Sequence, residues 1–391
     1  MKKHPLYATL AGFSLIAIGL CLCRYAYTPL IPSLIDEHWV TKAGAGYLGG
    51  FNCLGYLIGC LAALFLPAYL SVRLLLRVSL VIAVAGLVMC AWDLGFVWLA
   101  FGRAVTGLGG ASLVIHTPSV ALAHVSEKWK KVASGVVFTG AGGSIMLVSL
   151  LVPLFLSHSV MWGWLFEAAL ALAAAVIAWP LVSTAATQSN RNRTRPEPLA
   201  RGLVGSLYLL GVAYFLAAIG ITPHGLFLTD YLHHDLGVTT AQSSMLFSLI
   251  GAGSLLGALA SGVIARVLGT PLSLLVNYLL GAVAVAMVLL TTSVMVVSIS
   301  AFMIGFFLLC CVALSSVRTG ELVGSGQHPH YWGILTLGFG LGLAAGSYGL
   351  SGLLSLGMDY YDTFVVAQGA LIVALLLAGW LFLRRHQAAG S

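Results

Sequence analysis

Three ionisable residues, Arg24, Arg103 and Glu167, fall inside long apolar stretches of this 391-residue chain. A charge at bilayer depth costs roughly 2.5–3.5 kcal/mol even on lenient insertion scales, so each predicts a partner or a polar cavity. Arginine in such a place can hold a carboxylate or phosphate through two parallel hydrogen bonds. A continuous helix would put Tyr27 and Thr28 on the face of Arg24, at i+3 and i+4, as a polar patch just ahead of Pro29. Glu167, the only acid well inside an apolar stretch, is the candidate for a buried proton carrier. The structural alternative pairs Arg24 with an acid such as Glu167, and packs Arg103 against the first helix.

Other polar and aromatic residues join these with less force. Thr117 nearly shares the helical face of Arg103, whereas His116 lies about 220° away around the wheel. His116 and His224 titrate near neutrality when unperturbed, and each is also suited to hydrogen-bonded packing. Tyr25, Tyr27, Phe51, Tyr56, Tyr214 and Phe215 can line a cavity or serve as packing. Asp230 is expected at an interface, and the run His233-His234-Asp235 reads as a solvated loop rather than a metal site. The seven cysteines sit in apolar stretches without ligand spacing, so buried thiols are expected and no metal or other cofactor. The chain carries no HExxH, GxSxG or nucleotide-binding glycine loop, which argues against an enzyme.

The elements that position these residues follow from composition. Charged residues make up 7% of the chain, against about 25% in soluble domains; water is therefore not the solvent for most of its surface. Apolar runs of about 20 residues predict twelve membrane helices. The first six run roughly over 6–31, 44–66, 74–92, 96–123, 132–156 and 161–182, the second six over 203–229, 241–266, 271–292, 294–317, 331–354 and 361–383. Lys2, Lys3, Arg73, Arg77, Lys128, Lys130, Lys131, Arg191, Arg193, Arg195, Arg201, Arg266, Arg318, Arg384 and Arg385 fall on one side of this topology, with only Lys42 on the other. Basic residues accumulate in short cytoplasmic loops, so both termini are expected in the cytoplasm. The same segregation accounts for the net charge of +7 without a nucleic-acid partner. One long polar segment, residues 183–201, reads as a cytoplasmic linker between an N-terminal six-helix bundle, 1–182, and a C-terminal one, 202–391.

The halves also match each other. Residues 55–62, GYLIGCLA, line up with residues 253–260, GSLLGALA, at a shift of 198 positions. The same shift carries Gly135, Gly140 and Gly142 onto Gly333, Gly338 and Gly340, while Thr28-Pro29 and Thr222-Pro223 pair at a shift of 194. A duplicated six-helix unit explains such matches.

Arg103 to Ala111, RAVTGLGGA, resembles the arginine and glycine motif in the fourth helix of major facilitator transporters. Residues 19–32, GLCLCRYAYTPLIP, and 45–59, AGYLGGFNCLGYLIG, resemble the YbfB/YjiJ-type subgroup. The resemblance implies an all-α fold of twelve helices in two pseudo-symmetric bundles, working by alternating access around a cavity lined by helices one, four, seven and ten. It implies a monomeric permease of the bacterial inner membrane, in contact with lipid, that moves a small molecule together with a proton or other coupling ion. Two arginines and few acids in the cavity helices favour a small organic anion as substrate; an apolar aromatic lining favours the alternative, efflux of amphipathic compounds. The expected substrate contacts are Arg24, Tyr27, Thr28, Arg103, Thr117 and Tyr214; Arg103, Glu167 and His116 are expected in proton coupling. The pattern departs from the family at Ala63 and Ser261, where a loop-motif aspartate is usual, leaving Arg73, Arg77 and Arg266 without an evident acidic partner.

Overall fold

The computed structural model describes residues 4–185 and 201–389. Most of the expected linker, with Arg191, Arg193 and Arg195, lies outside the described residues, as do Lys2 and Lys3.

Twelve helices long and apolar enough to cross a membrane account for nearly all of the described chain, as the apolar runs predict. They are α1 (Pro5–Leu22), α2 (Lys42–Ala68), α3 (Val72–Met89), α4 (Phe96–Leu122), α5 (Lys128–Leu156) and α6 (Val160–Val182), followed by α7 (Leu203–Asp235), α8 (Thr240–Leu268), α9 (Thr270–Leu290), α10 (Val294–Gly324), α11 (His330–Ser355) and α12 (Tyr360–Leu383). Local chemistry sets several ends. Thr41 and Ser71 accept the backbone N–H groups of Gly44 and Leu74 ahead of α2 and α3. Gly324, with φ of 77°, breaks α10 from α11 in a conformation that a side chain disfavours. Large apolar side chains such as Ile58, Val81, Val176, Leu256, Val263 and Leu376 point outward. Such a surface is stable in hydrocarbon and not in water.

The chain falls into two compact units, one of Met1–Arg193 with Leu226–Gly251, the other of Thr194–Gly225 with Ala252–Ser391. In the first, α4 is the hub, packing on α2, α3 and α1. Three glycines of its motif make this possible, each against a different neighbour. A Cβ on Gly107 would collide with the Asn52 carbonyl of α2, one on Gly109 would meet Ala83 N of α3 at 2.7 Å, and one on Gly110 would meet Gly19 O of α1 at 2.7 Å. In lipid, where apolar burial drives helix association weakly, such backbone-to-backbone approach supplies the attraction.

The same contacts recur in the second unit. A Cβ on Gly55 would strike the Ala104 carbonyl and one on Gly59 would meet Leu108 O; Gly253 and Gly257 stand in the same way to Phe302 and Phe306. Both partners of both contacts are displaced by 198 positions, so the match of 55–62 with 253–260 is a repeated interface. The glycines of the fifth and eleventh helices require a correction. Gly140 packs on the Phe13 carbonyl and its counterpart on Phe215 is Gly342, whereas Gly338 has no neighbour within 4 Å of a built Cβ. The true shift there is 202, one helical turn beyond the one the sequence suggested. At 202 positions Thr28 falls on Asp230, so the Thr-Pro pairs at a shift of 194 are not equivalent either. A connection four residues longer between α1 and α2 than between α7 and α8, and one four residues shorter between α4 and α5 than between α10 and α11, produce the two shifts.

This register makes a direct prediction. Gly342→Ala should lower the thermal unfolding midpoint of detergent-purified protein, since overpacking of this kind costs about 1–3 kcal/mol. Gly338→Ala should leave it unchanged or slightly raised. Equal effects of the two substitutions would restore the uniform shift.

Candidate functional site

The first membrane segment is not one continuous α-helix. It runs as α-helix over Pro5–Ile16, widens to a π-turn over Ala17–Leu22, breaks at Arg24 (φ −136°, ψ −67°), and continues as a 3-10 helix over Tyr25–Leu30 and an α-helix over Ile31–Asp36. The interruption lies ahead of Pro29 in the chain. Any carbonyl freed at this depth needs a new partner, since hydrocarbon offers none.

Two side chains supply it. Asn52 on α2 donates from Nδ2 to the Cys23 carbonyl at 2.8 Å, and the same amide reaches Thr106 Oγ1 at 2.9 Å and the Arg103 carbonyl at 3.0 Å. Arg103 on α4 donates to the Cys23 carbonyl at 3.4 Å and the Arg24 carbonyl at 3.5 Å. Both residues are 1% exposed. Arg103 therefore meets the first helix through its guanidinium as well as through the small residues beneath it.

The rest of that guanidinium lies among aromatic faces. Its carbon sits 4.3 Å from the Tyr27 ring centre and 5.7 Å from that of Trp164, and the two rings stack at 5.9 Å and 22°. Delocalised charge over such faces is a favourable way to hold a cation out of water. Glu167 follows Trp164 on α6 by one turn and is fully buried. Among the described residues neither of its carboxylate oxygens has a hydrogen-bond partner, and Arg103 is the opposite charge that acts on it. The structure thus brings Arg103, Tyr27 and Glu167 into one buried chamber with Trp164 and Asn52. Sequence reasoning missed the last two. Asn52 had a signal, being an amide within an otherwise apolar and glycine-rich run, while nothing separates Trp164 in sequence from the other tryptophans of the membrane helices.

The polar patch expected around Arg24 is not formed. The break at Arg24 removes the α-helical face that would join it to Tyr27 and Thr28. Tyr27 turns to Arg103 and donates its hydroxyl to the Ala45 carbonyl at 2.9 Å, and the Thr28 carbonyl accepts from Thr229 at 2.6 Å. Arg24 lies 5.1 Å from the Tyr25 ring centre, with Cys53 and Tyr56 as its other electrostatic neighbours. It remains partly exposed, and no carboxylate of the described residues lies within ion-pair distance of it, so the pairing with Glu167 is not made.

The remaining candidates are scattered. Thr117 is buried and its hydroxyl bonds the Leu113 carbonyl of its own helix. His116 is partly exposed on the same helix. Tyr214, in the second unit, stacks on Phe339 at 4.4 Å and tilts against Trp332 at 5.8 Å. His224 is a buried packing residue there, 2.8 Å from Ser300 Oγ, which in turn donates to the Ala284 carbonyl. All seven cysteines are buried free thiols.

Two expectations at helix ends are corrected. Asp230 is fully buried rather than interfacial, bonded to His234 Nδ1 at 2.8 Å. His233 and His234 lie in a helical turn, Tyr231–Asp235, and both reach Asp36 rather than forming a solvated loop. Asp235 pairs instead with Lys42 at 3.4 Å. At the loop-motif positions Ala63 and Ser261 are buried, and Arg73 and Arg77 bind the chain just beyond α6, with no acid of the described residues within ion-pair distance. Arg73 donates to the Ala185 carbonyl at 3.3 Å, and Arg77 to Ser183 Oγ at 3.1 Å while stacking on Trp179. Cations at helix C-termini are favourable on electrostatic grounds alone. Arg266 is exposed.

Comparison with known proteins agrees with this architecture. A family model described as "uncharacterised MFS-type transporter YbfB" matches residues 16–379. No curated protein matches the chain. Among solved structures, the nucleoside transporter NupG superposes with a TM-score of 0.74 at 12% identity, over 97% of this chain and 98% of that one. A bacterial homologue of the human lysosomal transporter Spinster, inward-facing and occupied, superposes with a TM-score of 0.73 at 14% identity, over 99% and 98%. At such identities the likeness establishes the major facilitator fold and nothing of the substrate. The match over nearly the whole chain, on twelve membrane helices with a repeated interface, places the protein in the YbfB-type family of the major facilitator superfamily: it is a multi-pass membrane protein and a secondary transporter.

Proposed function

We propose that this transporter moves a small organic anion across the bacterial inner membrane by alternating access, coupled to protons, with both termini in the cytoplasm. The six-helix halves, residues 1–182 and 202–391, rock about the substrate while the linker, 183–201, joins them on the cytoplasmic side. The supporting observation is the division of labour between the two arginines at the break in α1. Arg103 is buried and engaged with carbonyls and aromatic rings; Arg24, on the first membrane segment, is partly exposed, and no carboxylate of the described residues lies within ion-pair distance of it. A partly exposed guanidinium beside the Tyr25 ring, with no carboxylate of the described residues paired to it, suits a carboxylate or phosphate arriving from solution.

Coupling follows from the chamber behind it. A carboxylate and a guanidinium enclosed together in low dielectric attract strongly when both are charged. Protonation of Glu167 removes that pull on Arg103, whose guanidinium also holds the Cys23 and Arg24 carbonyls. A proton on Glu167 thereby changes the support under the backbone that carries Arg24. His116, on the helix of Arg103, is the proposed second titrating group.

Two experiments in proteoliposomes test this reading. Arg24→Ala should reduce uptake of the anion about 10- to 100-fold, in line with the roughly 1.5–3 kcal/mol of a hydrogen bond to a charged group, while Arg24→Lys should recover part of it. The substrate panel should contain carboxylates, organic phosphates, amphipathic drugs and nucleosides, the last because NupG is a nucleoside transporter. Full activity of Arg24→Ala on the transported compound would sink the anion reading, and transport of amphipathic drugs alone would replace it with efflux. Glu167→Gln should abolish accumulation driven by a pH gradient while retaining counterflow exchange. Unchanged pH-driven accumulation in that variant would remove Glu167 from the coupling.

A further inference from the structure

Away from the Arg103 chamber, Asp36, His233 and His234 form a second constellation, with candidate ligand atoms all within 4.8 Å of one another. Asp36 ends the short helix Ile31–Asp36, and the histidines lie in the turn Tyr231–Asp235 of the same compact unit.

The hydrogen bonds fix the protons on both rings. His233 Nδ1 is 2.7 Å from the Val238 carbonyl oxygen, which can only accept, so this nitrogen carries a hydrogen. His234 Nδ1 is 2.8 Å from the carboxylate of the buried Asp230 and carries one for the same reason. A neutral ring protonated at Nδ1 presents a lone pair at Nε2. Those two lone pairs point at the same carboxylate, His233 Nε2 at 3.2 Å from Asp36 Oδ2 and His234 Nε2 at 3.1 Å from Oδ1. Three electron-rich ligands converging in this way repel one another unless positive charge stands between them.

A single divalent cation removes the conflict. Two imidazole nitrogens and a carboxylate are the donor set of zinc and similar borderline metals. Bonds of about 2.0–2.2 Å in tetrahedral geometry hold neighbouring ligand atoms roughly 3.3 Å apart; each imidazole nitrogen stands at about that distance from one carboxylate oxygen, His233 from Oδ2 and His234 from Oδ1, so ligand atoms lying within 4.8 Å of one another need only draw together around the ion. The outer bonds fit as well, because metal-bound histidines donate their second N–H to a carboxylate or a backbone carbonyl, which orients the ring. Lys42, the nearby cation, is drawn to Asp235 at 3.4 Å. The other neighbouring acid, Glu37, accepts the Val160 N–H at 2.9 Å.

We propose that Asp36, His233 and His234 bind one zinc-class divalent cation, oriented by Asp230 and the Val238 carbonyl and completed by water. The ion would tie the end of the first membrane segment to the end of α7.

Chelator-stripped, full-length protein in detergent at pH 7.5 should bind one Zn²⁺ per chain, and Co²⁺ in its place should give the visible absorption of a tetrahedral site. Asp36→Asn and His234→Ala should abolish saturable binding, and Asp230→Asn should weaken it about 10- to 100-fold. Removing His234 takes a hydrogen-bond partner from the buried Asp230, so His233→Gln, whose partner is a backbone carbonyl, serves as the variant expected to stay folded and should lose at least tenfold in affinity. Three results would overturn the proposal: no saturable binding by the unaltered protein, undiminished binding by folded His233→Gln, or a melting midpoint that rises on acidification to pH 5.5 while ignoring Zn²⁺. The last would assign the gap to protons.

Discussion

A backbone carbonyl released inside a membrane has to find a donor within the protein, and this requirement organises the first compact unit. The segment that carries Arg24 departs from regular helix over more than a turn, and each group left without a partner in hydrocarbon costs several kcal/mol. The Cys23 and Arg24 carbonyls are met by Asn52 and Arg103, from two different helices. Both side chains are buried, and neither reaches the break unless α2 and α4 lie close together. Gly107 against Asn52, and Gly55 against Ala104, give that closeness. The irregular backbone and the glycine contacts are thus parts of one arrangement: the first is tolerated because the second delivers donors to it.

The charges at depth follow the same logic. Arg103 offsets its desolvation through carbonyl oxygens, two ring faces and the nearby Glu167, rather than through one ion pair. A single tight pair would be rigid and would neutralise both charges permanently. A guanidinium shared among several weaker partners can redistribute when one of them changes charge, which is what the proposed coupling would use. Arg24 differs in being partly exposed, with no carboxylate of the described residues within ion-pair distance of it. The buried Asp230 shows the other solution, a carboxylate held by a histidine whose far nitrogen turns toward Asp36.

The duplication also has a physical reading. Selection of matched contacts preserves the pairs in which backbones touch, and these recur with both partners displaced equally: Gly55 and Ala104 as Gly253 and Phe302, Phe13 and Gly140 as Phe215 and Gly342. Glycines outside such contacts, Gly338 among them, are free to drift. Identity of residue type is consequently a weaker guide to equivalence than identity of the contact.

Composition and apolar run length were enough to determine the solvent, the helical class, the number of spans and their approximate limits. Each depends on quantities summed over about 20 residues, and lipid leaves a backbone few other options. The depth of Arg103 and Glu167 was legible for the same reason. What surrounds each charge was decided only by tertiary structure. Extrapolating helical periodicity through Arg24 assigned Tyr27 to the wrong arginine, because the spacing rule holds only while the helix does. Asn52 and Trp164 entered the chamber from helices that are remote in sequence. Asp230, His233 and His234 looked like a polar end, and packing of residues 226–251 with the first unit turned them toward Asp36. A linear pattern records which residues must leave water. It does not record which ones meet after they have done so, since those distances are set by close packing between helices far apart in the chain.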